Sequence, residues 1–199
     1  MERIAPERAA HLLDELTAVR RDLHAHPETA FEEQRTAALV AERLRAWGLE
    51  VDTGLARTGV VGTLSRGPGP VIGLRADMDA LDLEETGDRP HASRHKGRMH
   101  ACGHDGHVAM LLGAARCLSE NPAFQGSVRF IFQPAEENVA GGRLMVEQGL
   151  FRRFPMDAVF GLHNMPGMAA GKMGLRSGVA MAAADFFDLR NRRIGTLKF

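Results

Sequence analysis

The sequence predicts an α/β domain with a largely parallel or mixed sheet flanked by helices. Three observations carry that expectation. Helical periodicity near the N-terminus gives way to short β-branched runs, those runs alternate with helical stretches, and polar clusters follow the ends of the runs. Sheets of this kind gather ligands at the carboxyl ends of their strands. One crevice could therefore receive all the polar clusters.

Leu12, Leu16, Val19 and Leu23 recur at helical spacing and predict a helix from about Pro6 to His24, stopped by Pro27. A second helix is expected from about Glu32 to Trp47, with Ala37, Val40, Leu44 and Trp47 on one face and Gly48 at its C-cap. "VVGTL" and "PVIGLRADMDAL" read as strands separated by the turn "SRGPGP". From Glu84 to Met99 the chain is polar and reads as a loop. Val108, Leu111, Leu112, Ala115 and Leu118 then mark a helix whose first turn carries a histidine cluster. "SVRFIF" reads as a buried strand leading into "QPAEE", "GGRLMVEQGL" as a short helix, and "DAVFGLH" as another buried strand ending at His163. "DFFDL" can begin a further strand, but "RNRRIGTLKF" is basic, lacks a clear period and is too short for a second domain. The expected organisation is one domain over 1–188 and a divergent tail over 189–199.

Composition narrows the function. Hydrophobic residues make up 44% of the 199 and charged residues 25%, as in ordinary globular proteins. Twenty-five basic residues balance 25 acidic ones, so no global field favours nucleic acid or an anionic membrane. No apolar run approaches the roughly 20 residues that cross a bilayer, and "MERIAPERAA" lacks the apolar core of a signal peptide. Two cysteines, Cys102 and Cys117, are too few for a disulfide framework. A reducing cytoplasm is the expected compartment, where a thiol among histidines is a metal ligand or a nucleophile. Tyrosine is absent, and no G-x-G-x-x-G, G-x-x-x-x-G-K-[ST] or G-x-S-x-G occurs.

Four clusters can carry chemistry. "MHACGHDGH", Met99 to His107, is either a polar histidine-rich loop or half of a metal site. Cys102 and His104 flank one glycine, a spacing that can turn sulfur and imidazole toward one ion. A helix beginning near His104 would help to keep Cys102 as thiolate through its dipole. The spacing is neither that of a zinc finger nor H-E-x-x-H. Glu136 and Glu137 are either a solvated pair or a division of labour, one carboxylate on a metal and the other acting as general base. Asp77 and Asp79 share one face of a strand and are ligands, orienters of a ligating histidine, or turn formers. His163 is a satisfied core histidine or an inward ligand. Sulfur, nitrogen and carboxylate donors together suit zinc, with manganese or nickel as alternatives.

"RRDLHAHPETAFEE", "GLRADMDAL", "MHACGHDGH", "FIFQPAEE" and "GLHN" together resemble the metal-dependent amidohydrolases of the aminoacylase and carboxypeptidase group, which includes hippurate hydrolases, N-acyl-amino-acid amidohydrolases and indole-acetyl-amino-acid hydrolases. The resemblance runs to about Asp188. It implies two divalent metal ions held by Cys102, His104, Glu137 and His163, with Glu136 as general base on a water and Asp79 in support. It also implies a small N-acyl amino acid as substrate and homo-oligomeric full-length relatives. Members of the group are about twice as long, with a lid and dimerisation domain and a further histidine ligand near the C-terminus. Asp82 stands where they usually have proline. The expectation is a truncated copy lacking the lid, with a non-catalytic metal-binding fragment or pseudoenzyme as the alternative. A Cys102 thiol hydrolase fits less well, because it leaves both glutamates without a role.

Overall fold

The computed structural model describes residues 6–121, 123–137, 140–178, 188–191 and 195–198. The chain divides into two compact units, Met1–Asn164 and Met165–Phe199.

The first unit opens with a 3-10 helix, Pro6–Leu12, that runs into helix α1, Leu13–Ala25. Next come α2 (Gln34–Ala46), β1 (Glu50–Leu55), β2 (Gly59–Arg66) and β3 (Val71–Asp77). Helix α3 (His104–Glu120), β4 (Gly126–Gln133), α4 (Gly141–Glu147), α5 (Leu150–Arg153) and β5 (Ala158–Gly161) complete it. The five strands form one mixed sheet in the order β1-β2-β4-β3-β5. β1 pairs with β2, and β2 with β4, antiparallel; β4 and β5 both pair parallel with β3.

Alternation along the central strands builds a core on each face. Val60, Phe130 and Phe132 point to the side covered by α1, α2 and α3, where they meet Leu23, Val40, Leu44, Val108 and Leu112. Val61 and Ile131, one residue out of phase, point to the opposite side and meet Met145 and Leu150 of α4 and α5. Strand β4 is thus buried on both faces, as its unbroken apolar run predicts.

Two strands depart from expectation. "DAVFGLH" does form β5, but it is not buried: Val159, Phe160 and Leu162 are exposed. β5 is an edge strand bonded to β3 alone, so apolar content did not imply burial. The opposite edge, β1, was not expected at all, because its Glu-Val-Asp-Thr-Gly-Leu sequence lacks a continuous apolar signal. Both misreadings fall on edges, where the pairing partner and not the strand's own hydrophobicity makes the strand.

In the second unit, β6 (Asp188–Asn191) pairs antiparallel with β7 (Gly195–Lys198). Residues 185–187 of "DFFDL" lie outside the described residues. Among the described residues, no helix is long and apolar enough to cross a membrane.

Candidate metal centre

Parallel pairing of β3 with β4 and β5 aligns three strand ends, and the polar clusters gather just beyond them. Asp77 closes β3 and Asp79 follows it; Glu136 and Glu137 follow β4; His163 follows β5. Helix α3 brings in the fourth cluster at its N-terminus. Gly103, at φ +88, is the N-cap that turns the chain into α3. That left-handed conformation favours glycine, and a Cβ there would lie 2.6 Å from Asn164 Oδ1 and displace that side chain.

His104 sits at the centre and is fully buried. Its Nδ1–H donates to the Asp79 carbonyl at 2.8 Å and lies 3.1 Å from Asp79 Oδ1. Those contacts leave Nε2 with its lone pair directed away, 3.7 Å from Glu137 Oε1 and 3.6 Å from Asp77 Oδ2. Cys102, His104 and Glu137 each place one donor atom within 4.8 Å of the others. His104 Nε2 and Glu137 Oε1 are buried without any hydrogen-bond partner. Neither atom is hydrogen-bonded in the structure, and both stand beside the Cys102 sulfur. A divalent cation of borderline softness satisfies all three, so the donor set fits a metal.

His163 is exposed, not a core histidine. Its Nδ1–H donates to the Asn164 carbonyl at 2.7 Å, so Nε2 carries the lone pair and faces Cys102 Sγ at 3.4 Å. Asp79 also accepts the Glu137 backbone N–H through Oδ2 at 2.9 Å. One carboxylate therefore fixes both the His104 ring and the main chain of Glu137. The Glu136 side chain beside it is exposed.

A second grouping, Asp77, His104, His107 and His163, also brings donor atoms within 4.8 Å. His107, part of "MHACGHDGH", is not among the ligands that the resemblance implies. It stands one helical turn after His104, and that i, i+3 spacing was the available signal. Its Nδ1–H donates to Asp77 Oδ1 at 2.6 Å, and Nε2 accepts the Asn164 N–H at 3.1 Å. Asp77 Oδ2 in turn accepts from Arg75 at 2.7 Å. Both nitrogens of His107 are occupied, whereas Nε2 of His104 has no partner.

Electrostatics correct one expectation. Cys102 is not held as thiolate by α3. Burial first, and then the Glu137 carboxylate, push its thiol up to about 12. The Asp77 and Glu136 carboxylates act in the same direction. Burial opposes a charge on Asp77, yet the His107 hydrogen bond and the Arg75 charge hold its carboxyl well below the usual range. Burial likewise opposes protonation of His104, but Asp79, Asp77 and Glu137 outweigh it and raise the ring above its ordinary value.

The chain is similar to known proteins. The chain is 45% identical over 179 residues to hippurate hydrolase of Campylobacter jejuni, covering 89% of this chain and 46% of that protein. Against N-acetyl-L-cysteine deacetylase of Bacillus subtilis it is 45% identical over 186 residues, covering 92% and 44%. The solved structure of the Bacillus subtilis YXEP protein, described as a dinuclear metal binding peptidase from the M20 family, matches with a TM-score of 0.80 at 42% identity, covering 84% of this chain and 48% of that one. The chain thus spans about half the length of the curated relatives it matches. A family profile matches residues 73–193, which contain every donor described above, and the chain belongs to peptidase family M20/M25/M40.

Proposed function

We propose that this chain forms the metal-binding catalytic part of an amidohydrolase that cleaves the amide bond of N-acyl amino acids. The observation that carries the reading is the pair of unpartnered buried acceptors, His104 Nε2 and Glu137 Oε1, facing each other beside Cys102. Cys102, His104, Glu137 and His163 would hold divalent ions, two per site, with zinc, manganese and nickel all compatible with the donors. Bound there, the ions would polarise the scissile carbonyl and acidify a water molecule.

The chain's own residues divide the remaining work. Glu136 is the general base: it takes a proton from the attacking water and returns it to the departing amine. Water adds its oxygen to the acyl carbon as the C–N bond breaks, releasing a carboxylic acid and a free amino acid. Asp79 sets the His104 tautomer and holds Glu137 in place, and the Asn164 carbonyl does the same for His163. A reducing, cytoplasmic setting suits a site that depends on a free Cys102. The hippurate hydrolase and N-acetyl-L-cysteine deacetylase similarities support the substrate class.

The test is hydrolysis of N-acetyl and N-benzoyl amino acids by the metal-loaded chain, with metal content measured in parallel. Turnover that disappears on chelation and returns with metal is expected. Turnover that survives complete chelation overturns the mechanism, and metal bound without turnover assigns the chain to the non-catalytic alternative.

A further inference from the structure

The segment "RRDLHAHPETAFEE" supplies no donor to the cluster, yet three of its residues reach three different pieces of the site. His24 Nδ1–H donates to Asp105 Oδ2 at 2.8 Å, one residue after His104. The Glu28 carbonyl accepts the Ala80 N–H at 2.8 Å, one residue after Asp79. The third, Glu33, accepts the Ala135 N–H through Oε1 at 2.9 Å, one residue before Glu136.

Glu33 is the most unusual of the three. Its side chain is fully buried, and its other oxygen accepts the Thr58 hydroxyl at 2.6 Å. Burial of the carboxyl, the largest influence on it, raises its pKa, so the site is an expensive one for an acid. An apolar side chain would fill the same space without that cost but could not accept two hydrogen bonds. What Glu33 supports is itself strained: Ala135 has φ +51, a conformation that non-glycine residues rarely adopt. The Ala135 carbonyl accepts the Gly141 N–H at 2.9 Å, so both of its backbone groups are tied. Two residues on, Asp79 holds the Glu137 N–H. Glu136 therefore has an exposed side chain on a main chain clamped on both sides.

We propose that Glu33 is a positioning residue for the Glu136–Glu137 pair, its carboxyl locking the strained turn at Ala135 that delivers both glutamates to the site. The proposal rests on the roles given to those glutamates above. It predicts that an acceptor at position 33, and not a charge, is what matters. Glutamine can accept from Ala135 through its carbonyl and donate to the Thr58 oxygen through its amide; leucine can do neither. Aspartate keeps the charge but is one methylene too short to reach both partners.

The experiment compares wild type, Glu33→Gln, Glu33→Asp and Glu33→Leu as the full chain. Amide hydrogen exchange over 135–137 is measured in the metal-free protein, and Co2+ affinity is followed through thiolate-to-cobalt absorbance. Wild type and Glu33→Gln should protect these amides alike, while Glu33→Leu loses protection there and keeps it in β4. Co2+ affinity should fall roughly 10- to 100-fold in Glu33→Leu, the range found when a group orienting a ligand is lost, with Glu33→Asp between. Where the chain hydrolyses substrate, kcat should fall with KM little changed. Wild-type exchange at 135–137 in Glu33→Leu overturns the proposal, whatever the metal does. If Glu33→Leu fails to fold, Glu33→Asp carries the test, and wild-type exchange in it overturns the proposal equally. A wild-type chain that neither binds Co2+ nor hydrolyses substrate rejects the functional reading instead, and leaves the exchange result to decide on Glu33.

Discussion

The inner and outer halves of the site use the same side-chain types under opposite conditions. On the inner side Asp77, Asp79, His104 and His107 are buried, and most of their polar atoms are committed to a partner. On the outer side Glu136 and His163 are exposed, on a loop and just beyond an edge strand. The inner groups are fixed before any ligand arrives, so orientation costs little on binding. The outer groups keep access to water and to a substrate, as the proton carrier and the ligand proposed above must. Rigidity and access are thus separated by depth, and the bound cation would lie at the boundary between them.

Four measurements sharpen or break that division. The largest effect is expected from Glu136→Gln, which removes the proposed general base and leaves the inner donors intact. Steady-state hydrolysis should fall by roughly 10²- to 10⁴-fold, the usual weight of a general base, with metal content unchanged; metal loss in step with activity would make Glu136 a ligand. Next is Asp79→Asn. Its amide NH2 would have to face either the His104 Nδ1–H or the Glu137 N–H, both donors, so one contact is lost whichever way it turns. Competition with a chelator should show metal affinity reduced by about 10- to 100-fold.

The third measurement is pH dependence. Cys102, pushed up to about 12, is protonated throughout the neutral range, so a metal that takes it as thiolate must displace a proton. Affinity should therefore climb with pH, by about tenfold per unit for each proton displaced. Calorimetry in buffers of different ionisation enthalpy counts those protons, and a pH-independent affinity would show that Cys102 is not a donor. The smallest effect is expected at the rim: Phe160→Ser on β5, where the side chain is 58% exposed, should change urea stability by no more than about 0.5 kcal/mol. A larger loss would mean that the outer edge is packed as the core is.

What was legible in the sequence follows the same depth rule. β4 and α3 announce themselves because both are buried along a continuous face, and their ends name the glutamates and the histidine cluster. Edge strands β1 and β5 were missed or misjudged because an edge is defined by its neighbour. The resemblance implied Cys102, His104, Glu137 and His163 as ligands with Asp79 in support, whereas other contacts around them could not be named from the sequence. His107 and Asp77, or Glu33 and Ala135, meet only through the sheet order, and nothing local in the sequence states that β4 lies between β2 and β3.

That insertion has a consequence for how the molecule forms. β2 and β3 are consecutive in sequence but never pair, so no simple hairpin can nucleate the middle of the sheet. Each must wait for β4, which arrives only after the long loop and α3 have been traversed. Contacts so distant along the chain make folding slow. They also mean that Asp79, at the end of β3, and Glu137, at the end of β4, come together only when the last central strand docks. Building the site and closing the sheet are then a single kinetic event.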